Sequence, residues 1–351
     1  MKAWLVEKHG GPEVLSFKEI PTPIPGPLQV RVRVQAIGVN HMDIWVRNGV
    51  TGHTFPLPLI PGCDVTGVID QFGSGSEEKA KQTGLTIDSS VIINPILSCG
   101  ICQACLNSNE TCCSQFGLIG ETKNGGCAEF IIVPISNIIP CPKNISFEEG
   151  AAIPITFITA WNMLYNKTKL KPGELVLIQA GASGVSVAAI QIAKHLGGNV
   201  ITTVGDEAKI EKAKNLGADF VINYKKQSFR EEVKKISLSL GKKGVDIALD
   251  HIGGKTFQET LKCLDWGGRA AFCGATTNSK IEIDLKPLFF KNISLFGTTM
   301  GSKDSLNQII DLIEQKKLKA VIDSVFKMSK YKNAIFKLES RNFFGKIIVR
   351  I

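Results

Sequence analysis

No part of the chain restricts the fold as strongly as the stretch from Leu175 to Gly205. Leu175 to Ile178 is a short apolar run that is typical of a buried parallel strand. From Val185 onward apolar residues recur at helical spacing, and a glycine pair ends this helix. A second apolar run, Val200 to Val204, completes a strand–helix–strand unit. The pattern predicts an α/β domain with a doubly wound parallel sheet.

The loop between the first strand and the helix, GASGVS, consists of small residues. Against the pattern G-x-G-x-x-G, Gly181 holds the first place, Ser183 the second and Ser186 the last, with an extra Gly184 between them. Small residues also occur wherever a helix packs closely on a sheet, but the flanking strands favour a functional interpretation. The free N–H groups at the helix N-terminus suit a dinucleotide pyrophosphate. We therefore predict that Gly181, Ser183, Gly184 and Val185 bind a cofactor.

Length and composition indicate a two-domain protein of the cytoplasm. The chain has 351 residues, 44% of them hydrophobic, and no apolar run approaches the length of a membrane span. Its first residues carry charges and glycines where a signal peptide needs an apolar block. The net charge of +9 comes mostly from dispersed lysines without interleaved aromatic residues. This favours a solvated surface over nucleic-acid binding, with attraction of anionic cofactors or coenzyme A thioesters as a second interpretation.

The pattern of predicted secondary structure changes twice along the chain. Residues 1–154 contain alternating strands such as Val30 to Val34, punctuated by proline and glycine, and predict a β-rich domain. Strands and helices alternate over residues 155–293, which predicts the dinucleotide-binding domain. Residues 294–351 are expected to return to the first domain with a helix, Ser305 to Gln315, and a last strand, Lys346 to Ile351.

Four cysteines form the strongest local motif. Cys99, Cys102, Cys105 and Cys113 follow the spacing C-x2-C-x2-C-x7-C, in a lobe of about residues 95–116. Ten cysteines without an export signal indicate reduced thiols, so the motif predicts a tetrahedral zinc site. Four thiolate ligands leave no open coordination position, so this zinc ion would be structural. Cys112 is an alternative fourth ligand, but the spacing favours Cys113.

Six short motifs accompany the four-cysteine lobe and the nucleotide loop: GVNHMD (Gly38 to Asp43), IPGCDVTGVI (Ile60 to Ile69), GGCAEF (Gly125 to Phe130), TAW (Thr159 to Trp161), GGR (Gly267 to Arg269) and FGK (Phe344 to Lys346). In these features the chain resembles the medium-chain dehydrogenase/reductase superfamily, which includes zinc alcohol dehydrogenases and quinone reductases, along nearly its whole length. The resemblance implies a GroES-like β-barrel domain beside a Rossmann domain.

The catalytic zinc ligands of the alcohol dehydrogenases are not kept. That family uses a Cys, a His followed by Glu, and a second Cys; here the matching positions hold Asn40, Cys63 with Asp64, and Ile155. Asparagine is a poor zinc ligand and isoleucine is none. The structural zinc lobe is thus retained while the catalytic site is lost.

Without a Lewis acid, hydride transfer needs an acceptor that delocalises the incoming charge itself, such as a quinone, an enone or an acryloyl or crotonyl thioester. Asn40 matches zinc-free quinone-reductase-like members of the family. His41 is expected to contact the cofactor pyrophosphate, with a plain surface histidine as the alternative. Asp43 and Asp64 are expected to orient Asn40 and the backbone. Cys63 is expected to be a bystander in a small-residue position, with a reactive thiol at the pocket as the alternative. Asn40, His41 and Asp64 are the predicted catalytic residues.

The resemblance also favours NADP(H) over NAD(H). An NAD-selective site places an acid at the end of the second strand, where this chain has Val204. Lys209 matches a cation that meets the 2′-phosphate in NADPH-dependent quinone reductases, and Tyr224 matches a tyrosine on the adenine side. Asp206 is a departure, since an acid there repels the phosphate or binds a 2′-hydroxyl. The nicotinamide end is expected to lie against Thr159, Cys273, Gly274, Gly297 and Thr298.

Together these features predict an NADPH-dependent reductase of activated C=C bonds with one structural zinc ion per chain. Two alternatives remain open. One is an alcohol or aldehyde dehydrogenase with an unusual metal site built from Cys63, Asp64 and His41. The other is a catalytically idle NADPH-binding protein. The family resemblance implies a homodimer or homotetramer.

Overall fold

The computed structural model describes every residue from Met1 to Ile351. The chain forms two compact units. The first comprises Met1–Ile155 together with Ser302–Ile351, and the second comprises Thr156–Gly301. No helix has the length and apolar character that crossing a bilayer requires.

The N-terminal part of the first unit consists of strands joined by short helices. Its strands are β1 (Lys2–Val6), β2 (Leu15–Glu19), β3 (Gln29–Val39), β4 (Asp64–Phe72), β5 (Ser90–Ile93), β6 (Ile96–Leu97), β7 (Gly117–Leu118), β8 (Phe130–Pro134) and β9 (Ile138–Pro140). Its helices are α1 (His41–Asn48), α2 (Ser76–Gln82), α3 (Gln103–Leu106) and α4 (Phe147–Gly150). The alternation predicted at Val30 to Val34 belongs to β3, whose valines at positions 30, 32 and 34 are buried.

The second unit alternates strands and helices after α5 (Pro154–Trp161) and a π-helical turn, Asn162–Lys167. Its strands are β10 (Leu175–Ile178), β11 (Asn199–Val204), β12 (Phe220–Asn223), β13 (Val245–Asp250), β14 (Leu264–Phe272) and β15 (Ser294–Gly297). Its further helices are α6 (Gly184–His195), α7 (Ile210–Asn215), α8 (Phe229–Ser239), α9 (Gly254–Lys262) and α10 (Leu285–Phe290).

The six strands of the second unit form one parallel sheet in the order β12-β11-β10-β13-β14-β15. The order reverses between β10 and β13, and ligands of open α/β sheets bind beyond the carboxyl ends of the strands at such a point. Leu175, Leu177, Ala248 and Leu264 belong to the buried core of this sheet. The doubly wound fold predicted from the sequence is confirmed.

The second unit extends beyond the predicted boundary after residue 293. Ser294–Gly297 pairs in parallel with Arg269–Phe272 as the sixth strand, so the second unit continues to Gly301. The sequence does not mark β15 as a strand, because it has only four residues and they do not alternate between buried and exposed positions. The first boundary falls at Ile155, one residue after the predicted one.

The returning segment adds α11 (Lys303–Glu314), β16 (Ile322–Lys327), α12 (Tyr331–Glu339) and β17 (Lys346–Arg350) to the first unit. These strands join a seven-stranded sheet in the order β16-β17-β3-β4-β5-β9, with β8 also paired to β3. The antiparallel register sets Ile347 opposite Val39 and Ile348 opposite Gly38. The start of β17 therefore lies beside the end of β3, where the sequence predicts catalytic residues.

Candidate zinc, cofactor and catalytic sites

The four cysteines of the predicted zinc site converge in the segment between β6 and β7. Their sulfur atoms all lie within 4.8 Å of one another. The Sγ–Sγ distances are 3.6 Å for Cys99–Cys113, 3.8 Å for Cys99–Cys105 and 3.5 Å for Cys102–Cys105. A tetrahedral ion with Zn–S bonds of about 2.3 Å requires sulfur atoms about 3.8 Å apart. The four thiols thus fit a zinc ion.

Backbone N–H groups around this cluster favour the thiolates that zinc requires. The N–H of Cys102 donates to Cys99 Sγ at 3.4 Å, and the N–H of Gln115 donates to Cys113 Sγ at 3.3 Å. Backbone donation, first from Ile101 and then from Cys102, lowers the pKa of Cys99 to about 6. Cys112 is exposed and lies outside the cluster, which agrees with the choice of Cys113.

The dinucleotide turn between β10 and α6 is closely packed at its first glycine. A Cβ atom on Gly181 would lie 2.3 Å from Thr202 Oγ1, so a side chain does not fit there. The N–H of Gly181 donates to Thr203 O at 2.8 Å, which fixes the turn on the second strand. Ser183 caps α6, because its Oγ accepts the N–H of Ser186 at 3.2 Å.

The first turn of α6 retains donors for an anion. Helix geometry leaves its first N–H groups without intrahelical acceptors, and Ser183 satisfies those of Ser186 and Val187. The N–H groups of Gly184 and Val185 remain at the positive end of a helix of 12 residues. This arrangement fits a dinucleotide phosphate. The predicted residues of this loop therefore occupy positions suited to their proposed role.

The residues predicted on the adenine side follow two neighbouring strands. Val204 pairs with Asn223, so Gly205 and Tyr224 come next to each other, and a Cβ on Gly205 would lie 2.5 Å from the Tyr224 hydroxyl. Asp206 accepts the N–H of Ala208 at 2.9 Å and caps the turn that contains Lys209. One carboxylate oxygen of Asp206 thus has a structural partner within its own turn.

The residues predicted at the nicotinamide end also share one edge of the sheet. Phe272 pairs with Gly297, which sets Cys273–Gly274 and Thr298 beyond adjacent strand ends. Burial raises the pKa of Cys273 to about 12, so its thiol stays protonated. Thr159 Oγ1 donates to Met300 Sδ at 3.7 Å.

Asn162 also belongs to this edge, although no sequence motif marks it as a site residue. Its Nδ2 donates to Thr298 Oγ1 at 2.5 Å and to Met300 O at 2.8 Å, which anchors the loop after β15 on the π-helical turn. The only signal in the sequence is its place directly after the TAW motif.

The predicted catalytic residues of the first unit form a buried hydrogen-bond cluster around Asp64. Asp64 Oδ1 accepts the N–H of Ile155 at 2.8 Å, and Oδ2 accepts Asn40 Nδ2 at 2.9 Å and Lys346 Nζ at 2.9 Å. Lys346 Nζ further donates to Asn40 Oδ1 at 2.6 Å and to Val39 O at 3.0 Å. Lys346 was known from the sequence only as part of a family motif.

The amide of Asn40 is fully engaged within this cluster. Besides Asp64, its Nδ2 faces Gly38 O at 3.1 Å and Cys63 Sγ at 3.2 Å. Asp43 accepts the backbone N–H of Asn40 at 2.8 Å and that of Gly62 at 2.9 Å, which matches the orienting role expected of it. Burial raises the pKa of Asp43 to about 6 and raises the pKa of Cys63 well above its usual value. The Cys63 thiol is therefore protonated.

His41 begins α1 and is partly buried. Burial, and then the nearby positive charge of Arg341, lowers the pKa of His41. The imidazole is consequently neutral at neutral pH and offers one N–H donor rather than a full charge. Arg341, which belongs to no motif in the sequence, is the permanent cation near it.

Two family models match the chain: "Alcohol dehydrogenase GroES-like domain" over residues 26–143 and "Zinc-binding dehydrogenase" over residues 184–315. The chain therefore belongs to the medium-chain dehydrogenase/reductase superfamily, and it is an oxidoreductase of that type.

Three relatives illustrate the range of this family. A quinone oxidoreductase of Rattus norvegicus is 30% identical over 94% of this chain and 91% of its own length. A 2-haloacrylate reductase of a Burkholderia species is 32% identical over 78% and 72%. The crystal structure of an NAD-dependent alcohol dehydrogenase is 42% identical, covers 100% of both chains and superposes with a TM-score of 0.94.

Proposed function

We propose that this protein reduces activated C=C bonds with NADPH and without a catalytic zinc ion. The observation that carries the proposal is the ammonium of Lys346. It forms an ion pair with Asp64 and donates to Asn40 Oδ1. Asn40 stands at one of the positions where the alcohol dehydrogenases hold their catalytic metal, and Asp64 follows Cys63 at another. A metal ion there would have to displace a buried cation, and Ile155 supplies no ligand atom.

The acceptors that suit such a site are quinones, enones and acryloyl or crotonyl thioesters. A bound nicotinamide cofactor supplies the hydride. The hydride adds to the β-carbon of an enone or enoyl thioester, the acceptor's own carbonyl delocalises the charge as an enolate, and a proton on the α-carbon completes the reduction. In a quinone the charge is delocalised onto oxygen, and the proton completes the reduction there. Asn40 and Asp64 are fully hydrogen-bonded to protein groups, so we propose that they hold the backbone of the site in place. His41, as a neutral imidazole, is left to contact the cofactor or to relay the proton.

The names of the relatives support two different hypotheses about the substrate. The names "quinone oxidoreductase" and "2-haloacrylate reductase" agree with reduction of conjugated double bonds. The name "NAD-dependent alcohol dehydrogenase" instead favours the second candidate, in which Cys63, Asp64 and His41 bind a metal. The hydrogen-bond cluster argues against this candidate, because Asp64 already carries an internal positive partner.

Lys209 and Tyr224 are the residues that we propose for recognition of NADPH over NADH. Tyr224 directly follows β12, and Lys209 ends the turn that follows the neighbouring strand β11. The last residue of β11 is Val204, so no acid stands at the position that selects NADH. Asp206 is the residue that would bind a 2′-hydroxyl if NADH were preferred. The four-cysteine lobe is proposed to hold one structural zinc ion per chain. Ten free cysteines suit a reducing compartment such as the cytoplasm.

We further propose that the protein is a homodimer that pairs through the edge of its parallel sheet. β15 is the terminal strand of that sheet, and its backbone edge has no neighbour. Leu285, Phe289 and Phe290 on the preceding helix are all more than half exposed. Light scattering should give a dimer for the native chain and a monomer for Phe289→Lys/Phe290→Lys. A native monomer would refute the proposal, and a tetramer would extend it.

The decisive experiment measures zinc per chain in protein purified without added metal, together with NADPH and NADH oxidation against a quinone, an enone, acryloyl-CoA and a simple aldehyde. One zinc ion with turnover of a conjugated acceptor is the expected result. Two zinc ions with turnover of the aldehyde would establish the alcohol dehydrogenase alternative. Cofactor binding without turnover of any acceptor would identify an idle binding protein.

A further inference from the structure

His251 lies at the reversal point of the parallel sheet, directly after β13. Its Nε2 is 2.8 Å from Ser183 Oγ and 3.0 Å from Ser186 Oγ. The two serine hydroxyls are 3.0 Å apart. The three side chains therefore form a closed hydrogen-bonded triangle at the dinucleotide turn, in which His251 is the member that has no part in the site described so far.

The proton positions in the triangle follow from the available donors. The hydroxyl of Ser186 donates to Gln179 O at 2.6 Å, so its oxygen can only accept from the other two groups. If Nε2 of His251 carried no proton, it would face the Ser186 oxygen as a second acceptor. With a proton on Nε2, the imidazole donates to the serine hydroxyls and Ser183 donates to Ser186. We assign the Nε2–H tautomer from this network.

The pair of serine and histidine does not form a hydrolytic site. Ser186 is only 1% exposed, and Ser183 Oγ already accepts the N–H of Ser186. The acid next to the histidine in the chain, Asp250, binds the N–H groups of Ile252 and Gly253 with Oδ1, while its Oδ2 has no hydrogen-bond partner. The carboxylate of Asp250 therefore does not orient the imidazole. A nucleophile–base pair requires a third group that orients the base.

We propose that His251 is a cofactor-positioning residue that holds the dinucleotide turn in its anion-binding shape. Through Ser183 and Ser186 it connects the end of β13 to the N-terminus of α6, where the N–H groups of Gly184 and Val185 lie at the positive end of the helix. Serines stand here in place of two glycines of the common pattern, so their hydroxyls need a fixed partner that glycines do not. The proposal rests on the dinucleotide-binding role proposed above, but not on the identity of the acceptor.

The test measures the dissociation constant of NADPH by nicotinamide fluorescence, with protein that is free of nicotinamide cofactor and with no acceptor present. His251→Asn shortens the side chain so that its amide does not reach the serines, whereas His251→Gln carries an N–H at the position of Nε2. Loss of this donor is expected to raise the dissociation constant about 10-fold in the Asn variant, while the Gln variant stays within about 2-fold of the native protein. His195→Ala, at the exposed far end of α6, is the matched control.

Binding of a cofactor fragment distinguishes a positioning role of His251 from a general disruption of the fold. Adenosine 2′-phosphate lacks the pyrophosphate, so His251→Asn should leave its binding unchanged. The role of His251 would be overturned if His251→Asn weakened the binding of NADPH and of this fragment equally. It would also be overturned if the Asn variant and the native protein bound NADPH with equal affinity. Failure of the proposed reduction is distinguishable, since it would abolish turnover while the difference between the Asn and Gln variants persists.

Discussion

Removal of the buried ammonium by Lys346→Met is the sharpest test of the cluster around Asp64. The substitution keeps an apolar chain of similar length but removes three hydrogen bonds, to Val39 O, Asn40 Oδ1 and Asp64 Oδ2. The side chains of Lys346 and Asp64 are 5% and 0% exposed, so water cannot replace the lost partner without rearrangement. The Asp64 charge is left buried with two neutral donors.

Breaking a buried ion pair by removing one partner costs about 3 to 5 kcal/mol of unfolding free energy. For a unit of this size the loss corresponds to a decrease of roughly 10 °C in the midpoint of thermal unfolding. Calorimetry and urea unfolding of the cofactor-free protein measure this loss. The same removal of charge at an exposed pair, Lys81→Met opposite Glu77, should cost about 0.5 kcal/mol or less.

The double variant Lys346→Met/Asp64→Asn provides the internal check. It contains no unpaired buried charge, so it should recover part of the stability that the single variant loses. A Lys346→Met protein as stable as Lys81→Met would contradict the reasoning, because it would mean that the ammonium contributes no more than a surface charge. A double variant less stable than the single one would contradict the role assigned to the Asp64 charge.

Three further predictions concern zinc, the cofactor and pH. Cys113→Ser should lose the bound zinc measured by metal analysis, whereas Cys112→Ser should keep it, because only Cys113 lies in the cluster. Lys209→Ala should raise the dissociation constant of NADPH about 10-fold and leave that of NADH unchanged, since only the former carries the 2′-phosphate. The folded state holds His41 neutral, so the unfolded chain binds its proton first as pH falls through 6.5. Native stability should therefore decrease below that pH, and His41→Gln should reduce the decrease.

Each of these predictions has an outcome that would contradict it. Retention of zinc by Cys113→Ser would require a different fourth ligand. If Lys209→Ala weakened the binding of NADPH and NADH equally, the lysine would contact a group that both cofactors share. Lys212→Ala, on the same segment, serves as the control. Identical pH dependence of unfolding in native protein and His41→Gln would show that other groups cause the acid effect.

Several features could be predicted because their signals lie within short windows. Leu175–Ile178 was predicted to the residue, since four consecutive buried aliphatic residues before a glycine turn suffice to mark the strand. The zinc ligands follow from spacing, because tetrahedral coordination by one segment allows few loop lengths. The loss of the catalytic ligands is visible directly from residue types at Asn40 and Ile155.

Other features could not be predicted because they depend on pairing between distant strands. Lys346 and Asn40 are 306 positions apart and meet only because β17 pairs with β3 in one particular register. A shift of that register by one residue would turn the lysine to the opposite face of the sheet. The strand β15 was missed for a similar reason, because its few exposed residues become a strand only beside β14.

The sequence by itself determined the class of fold, the dinucleotide turn and the four-thiol cluster, because local periodicity and ligand spacing encode them. The tertiary structure decided which charges and hydroxyls are shared across the chain. It joined Lys346 to Asp64, and it brought His251 to Ser183 from a distance of 68 positions. The physical reason is that a buried polar group must find its partner wherever the fold places one, and sequence proximity does not determine that choice.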